Sequence, residues 1–105
     1  MSEGIYNMNM SVNFLLQATR VLSFNNYDED ELKMVYDFMI SIDNEILNDY
    51  NMNCSIMIYN NDLELYVEIL NSCILIFEKR EEYEKCQKLK DKKEESIKIM
   101  KTKTN

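Results

Sequence analysis

The fold of this chain is decided by residues 62–100, DLELYVEILNSCILIFEKREEYEKCQKLKDKKEESIKIM, which contain two apolar patterns at helical spacing. In the first arm, apolar residues recur every three or four positions and so share one helical face: Leu63, Tyr66, Val67, Leu70, Cys73, Ile74 and Phe77. In the second arm a narrower seam follows the same rhythm between Lys and Glu residues: Tyr83, Cys86, Leu89 or Lys90, Lys93, Ile97 and Met100. The charged segment 78–82 between the arms contains neither Gly nor Pro. The pattern therefore predicts either a helical hairpin or one continuous long helix.

Within the second arm, residues 82–91, EYEKCQKLKD, resemble the second helix of the UVR motif. That motif reads acid, aromatic, acid, any residue, two small residues, any residue, Leu, Arg and Asp. The segment is also similar to the second helix of tetratricopeptide-type hairpins. It departs from the UVR pattern at Gln87, where a second small residue belongs, and at Lys90, where Arg is usual. The resemblance implies a hairpin rather than a long helix, and a hairpin that docks one protein on another.

Two more helices are predicted before the hairpin. The apolar stripe that begins at Phe14 predicts a first helix from about Ser11 to Ser23. Asp28 followed by Glu31 has the character of a capping box, and predicts a second helix over 28–49. Asp62 is the expected N-cap of the hairpin. The sequence thus predicts an all-α fold of about four helices with a C-terminal helical hairpin.

An α+β fold with two short strands is the alternative, because residues 5–13 and 52–59 alternate between apolar and polar side chains. The two segments also echo each other, as NMNMSV over 7–12 and NMNCSI over 51–56. With one Gly and no Pro, however, the chain has few residues suited to tight strand turns. At 105 residues we expect a single domain, 1–105, with flexible ends at 1–10 and 102–105.

The charge is distributed unevenly along the chain. Residues 1–78 contain thirteen acids and two bases, a net charge of −11, whereas residues 79–105 contain ten bases and six acids, a net charge of +4. An acidic body favours a basic protein surface as partner and disfavours nucleic acid. The longest apolar run is five residues, 73–77, so we expect no contact with a membrane and a cytoplasmic location, in the host if the protein is viral.

The residue types needed for most catalytic and metal sites are missing or badly spaced. The chain has no His, and its one Gly is Gly4, which leaves no His base and no phosphate-binding loop. The acids at 28–31 lack the spacing of a calcium loop and are better explained as helix capping. Three irregularly spaced cysteines suggest reduced, structural thiols: Cys54, Cys73 and Cys86. We therefore expect neither metal nor cofactor.

A pair of carboxylates is the remaining option for acid–base chemistry. The candidate pairs are Asp43 with Glu45, and Glu64 with Glu68. Exposed helix acids of this kind are far more often solvated than catalytic. We accordingly expect the protein not to be an enzyme.

The function that these features favour is a non-catalytic helical protein-interaction module. The many Asn, Ile and Lys residues suggest an AT-rich genome, such as that of a virus, a phage or a low-GC bacterium. A small phage or viral protein that binds or inhibits a host factor fits this bias, the size and the acidity. The alternative is a self-associating structural or virion subunit, and a third hypothesis is a nucleic-acid-binding accessory protein. The predicted protein-binding residues lie on the second arm: Tyr83, Cys86, Leu89, Ile97 and Met100.

Overall fold

The computed structural model describes residues 2–23 and 27–104, and their side chains over 12–23 and 27–101. These residues form five helices and no strand: α1 (Ser2–Ser23), α2 (Glu29–Ser41), α3 (Asn44–Met52), α4 (Asp62–Lys79) and α5 (Tyr83–Thr104). The predicted all-α class is confirmed, and α4 and α5 form the predicted C-terminal hairpin. The α+β alternative is wrong, since 5–13 lies inside α1 and 52–59 covers the end of α3 and the turns after it.

The single helix predicted over 28–49 is in fact two helices. The chain leaves helical geometry at Ile42 (ψ 123°) and Asp43 (ψ 174°), and the Asp43 carboxylate accepts the backbone N–H of Ile46 at 3.0 Å. Asp43 is thus the N-cap of α3. The ammonium group of Lys92 on α5 donates to the carbonyl oxygen of Ile42 at 2.6 Å. This bond satisfies a carbonyl group that has no partner within α2. The apolar spacing continues across the break, which is why the sequence pattern concealed it.

The start of α2 is the predicted capping box. The backbone N–H of Glu31 donates to the Asp28 carboxylate at 2.8 Å, and the Asp28 N–H donates to the Glu31 carboxylate at 3.1 Å. Two orphan amides of the first turn are thereby satisfied. Capping therefore accounts for Asp28 and Glu31, as predicted.

The hairpin turn is made without glycine. After α4 the chain places Glu81 in the left-handed region (φ 60°), while the N–H of Glu82 donates to Phe77 O (2.9 Å) and that of Glu81 donates to Glu78 O (3.0 Å). These two bonds define a Schellman motif, in which glycine usually occupies the left-handed position. The motif ends α4 and lets α5 start at Tyr83.

Helix α4 is the centre of the molecule, because it packs against α1, α3 and α5. The phenol of Tyr66 on α4 donates to the carbonyl oxygen of Met39 in the last turn of α2, at 2.5 Å, and burial raises the pKa of that phenol. Helix α1 joins through Leu15 and through a stacked pair, Phe14 and Phe38, whose ring centroids are 4.3 Å apart. One apolar core therefore includes side chains from all five helices.

The predicted boundaries were least accurate at the helix starts. Helix α1 begins at Ser2 and not near Ser11, and residues 102–104 belong to α5. The flexibility expected of 1–10 and 102–105 stays a prediction. Met1 and Asn105 lie outside the described residues. The N-cap of α4 is Asn61, whose side chain accepts the N–H of Glu64 at 2.8 Å, and not Asp62.

Candidate protein-binding surface

The five predicted binding residues divide into two groups. Leu89 and Cys86 are buried in the core, where they pack the two arms of the hairpin together. Tyr83 is 64% exposed at the start of α5, and Ile97 and Met100 are half-buried further along the helix. Only Tyr83, Ile97 and Met100 are therefore accessible to a partner, and their role in binding stays a prediction.

In the second half of α5, Ser96 and not Ile97 is the buried residue. It is fully buried, and its hydroxyl donates to the carbonyl oxygen of Lys92 at 2.9 Å. A small side chain at this position lets α5 lie close to its neighbours, and α5 contacts α3 as well as α4. Ile97, the next residue along the chain, therefore lies on the flank of α5 and not on its buried face.

On that flank, the two arms of the hairpin enclose an open groove of about 520 Å³. Ile74 and Leu75 of α4 and Ile97 of α5 provide its apolar surface, and Leu75 is 60% exposed. The remaining lining residues are polar or charged: Asn71, Lys90, Lys93 and Glu94. Sequence reasoning missed Leu75, although the run 73–77 contains more apolar residues than one helical face can bury.

Ion pairs and hydrogen bonds connect the turn of the hairpin to the start of α2. Arg80 binds Glu29 in a two-pronged contact (2.9 and 2.7 Å) and Glu82 at 2.6 Å. The hydrogen bonds from Arg80 lower the pKa of both carboxyls. Close by, the Lys85 ammonium lies 5.2 Å from the ring centroid of Phe77. The network orients the hairpin relative to α2 and leaves the groove between its arms uncovered.

Two of the three thiols have the properties of structural cysteines. All three cysteines are free, and Cys73 and Cys86 are buried while Cys54 is exposed. Burial raises the pKa of the Cys73 thiol to about 12 and also raises the pKa of Cys86. The two buried thiols therefore stay protonated near neutral pH, in the less nucleophilic form.

Two of the four candidate carboxylates have structural contacts. Asp43 caps α3, and Glu64 accepts a hydrogen bond from the side-chain amide of Asn60 at 3.1 Å. In the described part of the chain, no group of three or more acid, Cys or His side chains has the geometry to hold a metal ion. None of the described helices combines the length and the apolar character needed to cross a membrane.

No protein-family model matches the chain, and no curated protein or solved structure is significantly similar to it. The resemblance of 82–91 to the UVR helix is therefore a local one. Within it, Gln87 does not obstruct the packing of the arms, because it points to solvent and donates to Asp91 at 3.0 Å. Cys86, at the position of a small residue in the pattern, lies against the carbonyl oxygen of Ile74 at 3.7 Å. The shared feature is thus a closely packed helical hairpin.

Proposed function

We propose that this protein is a non-catalytic interaction module that binds an amphipathic helix of another protein in the groove of its hairpin. The observation that carries the proposal is the position of Leu75, a large apolar side chain that lines an open groove and is left mostly exposed. Two neighbouring helices present the kind of depression into which a third helix packs. A helix in this groove would cover Leu75 together with Ile74 and Ile97.

The charges beside the groove indicate the chemistry of the partner helix. Lys90 and Lys93 both lie on the α5 side, and the Lys90 ammonium is 3.5 Å from the carboxylate of Glu78 on α4. A partner helix with an apolar stripe and acidic residues along one flank would place its carboxylates beside these two ammonium groups. Such pairs mainly set orientation and selectivity, whereas burial of the leucine and isoleucine side chains supplies most of the affinity.

A foreign helix fits this groove better than a second copy of the chain does. Among the described side chains, the exposed large apolar residues on helices are scattered, one on each: Leu16, Met34, Met52, Leu75 and Tyr83. The side chains described over 12–23 and 27–101 therefore expose no continuous apolar stripe of the kind that the groove of a copy would accept. Two concave grooves placed face to face would also leave space between them. Self-association is the competing hypothesis that a measured mass can decide.

The size and composition of the chain support a phage or viral origin for such a module. A chain of 105 residues rich in Asn, Ile and Lys, with a net charge of −7, is typical of small proteins from AT-rich genomes. On this proposal the partner is a host protein, and the acidic body accelerates encounter with a basic region of that protein.

Photocrosslinking from the groove tests the proposal. p-Benzoylphenylalanine is placed at Leu75 and, as a matched control, at Leu16, an exposed leucine on α1. After irradiation in the cells that naturally contain the protein, position 75 should crosslink to the apolar face of a helix in one other protein, and position 16 should not. Equal products from both positions, or only crosslinks between copies of this chain at position 75, would overturn the proposal.

A charge substitution at the same position provides a second test of the proposal. Leu75→Glu should weaken binding of the crosslinked protein more than tenfold, since a carboxylate replaces an apolar contact at the centre of the interface. Leu16→Glu should leave the affinity within a factor of about two. Circular dichroism of both variants checks that the helical content is unchanged.

A further inference from the structure

The loop between α3 and α4 carries the two most exposed large apolar side chains in the described part of the molecule. Met57 is 97% exposed and Ile58 is 82% exposed. They lie together at the tip of the loop 53–61, at a turn. Single exposed apolar residues are common on protein surfaces, but an adjacent, almost completely exposed pair needs an explanation.

The loop is fixed from beneath by hydrogen bonds. Its ends are joined by the N–H of Asp62, which donates to the carbonyl oxygen of Asn53 at 2.8 Å. The Asp62 carboxylate is 2% exposed and accepts both the backbone N–H and the hydroxyl of Ser55, each at 2.8 Å. Asn61 donates to the side-chain oxygen of Asn51 at 3.2 Å, which ties the loop to the end of α3. These hydrogen bonds therefore fix both ends of the loop that carries Met57 and Ile58.

The tip itself is a four-residue turn in which the apolar pair occupies the central positions. The N–H of Tyr59 donates to the carbonyl oxygen of Ile56 at 3.1 Å, and both of these flanking residues are partly buried against the core. The central residues have negative φ, because Glu81 is the only non-glycine residue in the described chain with positive φ. Turns of this kind accept polar residues such as Ser, Asp and Asn at the centre. Neither the backbone nor the core therefore requires Met57 and Ile58 to be apolar.

We infer that the Met57–Ile58 tip inserts into an apolar pocket on a partner protein, and that the rim of this pocket is basic. The inference rests on the proposed function, to which it adds a second contact surface with its own chemistry. A loop already held in one conformation loses little conformational entropy on binding. Two adjacent apolar side chains that become fully desolvated in a pocket have the properties of a binding hot spot.

The basic rim follows from the charges in this part of the chain. Between Lys33 and Lys79 there are eight acids and neither Lys nor Arg. Asp49, in the helix before the loop, and Glu64, just after it, are the nearest of these acids in sequence to the tip that keep some exposure. A pocket edged by Lys or Arg would complement them and would speed association. The same acids disfavour insertion of the tip into an anionic lipid surface.

A symmetric pair of tips from two copies of this chain is a poor arrangement. Two convex tips cannot enclose each other, so each would leave the other largely hydrated. The competing site for the tip is the groove of a second copy, which is edged by Lys90 and Lys93. Crosslinks between copies at position 57 would reveal that arrangement.

The inference is tested by crosslinking from the tip. p-Benzoylphenylalanine at Met57 is compared with the same probe at Met34, an exposed methionine on α2. After irradiation in the cells that naturally contain the protein, position 57 should crosslink to one protein, at peptides that line an apolar pocket with Lys or Arg at its edge. Addition of unlabelled wild-type protein should compete for this product. The double variant Met57→Ser, Ile58→Asn should compete about tenfold less well.

Each other outcome overturns the inference. Crosslinks at position 57 that join copies of this chain, crosslinks no stronger than those at position 34, or equal competition by the double variant would each contradict it. So would binding of the wild-type chain, but not of the double variant, to vesicles of phosphatidylcholine and phosphatidylglycerol. Circular dichroism and a thermal melt of the double variant establish that it is folded, as the exposure of both side chains leads us to expect.

The two proposals fail in different ways. If position 75 crosslinks to a partner helix and position 57 gives no specific product, the groove proposal stands and the tip inference is wrong. If position 57 gives a specific product and position 75 does not, the chain is an interaction module that uses the loop instead of the groove.

Discussion

Replacing Tyr66 with Phe should destabilise the protein by about 2 kcal/mol, although only one oxygen atom is removed. The phenol donates to the carbonyl oxygen of Met39 at 2.5 Å, and both residues are buried. That carbonyl belongs to the last turn of α2, where helix carbonyls have no intrahelical partner. The substitution therefore removes a hydrogen bond and also leaves a buried acceptor unsatisfied.

The magnitude follows from these two effects. A hydrogen bond contributes about 0.5 to 1.5 kcal/mol, and an unsatisfied buried acceptor costs about 1 to 3 kcal/mol, so the two overlapping ranges centre near 2 kcal/mol. For a domain of this size, that loss lowers the Tm by roughly 8 to 16 °C. Urea unfolding followed by far-UV circular dichroism measures the change directly, and the m-value should stay constant because the surface buried on folding is unchanged.

Tyr83→Phe is the matched control, because Tyr83 is mostly exposed. Its stability should stay within about 0.5 kcal/mol of wild type. If Tyr66→Phe also stays within that margin, the bond between α4 and the end of α2 does not stabilise the fold, and the reasoning is refuted.

Three further substitutions test the connections that orient the hairpin. Glu81→Gly should stabilise the protein by about 0.5 to 1 kcal/mol in urea unfolding, since relief of the left-handed conformation outweighs the greater freedom of Gly in the unfolded chain; a lower stability would contradict this. Lys92→Met should cost about 1 to 2 kcal/mol through loss of the bond to the Ile42 carbonyl, whereas Lys88→Met, on the exposed side of α5, should have little effect. Arg80→Gln removes the group that lowers the pKa of its two carboxylate partners. Lowered carboxyl pKa values stabilise the fold above pH 4.5, so the wild type should have the higher Tm at neutral pH and lose that advantage as the pH falls below 4.5. A Tm difference that is independent of pH would show that the ion pairs are not its source.

The hairpin and the start of α2 were predictable because each has a local signal in the sequence. The α4 stripe identified most of the buried face of that helix, although it included the half-buried Val67 and omitted the buried Leu65 and Ile69. Asp28 with Glu31 forms a capping box by local bonds alone. The end of α4 had no such signal. Glu81 occupies a position where glycine is usual, so the turn depends on the packing of the two arms rather than on local preference.

The break between α2 and α3 could not be predicted from apolar spacing. Buried residues continue on both sides of Ile42, and the break is stabilised partly by Lys92, which is fifty residues away in the chain. Asp43 was the available signal, because a cap residue inside an apolar pattern can mark a new helix start. The cap of α4 was ambiguous for a different reason, since Asn61 and Asp62 are both good caps and the loop uses the second to bind Ser55.

The binding surface was only partly predictable. Periodicity assigned Ile97 to the inner seam of α5, but the small Ser96 faces the core and Ile97 lies beside the groove. The exposed tip of the α3–α4 loop falls in the segment that the alternative α+β fold treated as a strand, because Ile56 and Ile58 share an alternating pattern. Which apolar residues face solvent depends on the packing of all five helices, and the spacing within any one of them does not contain that information.

The solution mass of the purified protein over a range of concentrations tests most directly whether the groove is free for a foreign helix. Light scattering should give the monomer mass of 12.6 kDa at every concentration, for the wild type and for Leu75→Glu alike. A dimer that forms as the concentration rises, and that Leu75→Glu converts to monomer, would contradict the account. The groove would then serve for self-association, and the protein would be a structural subunit.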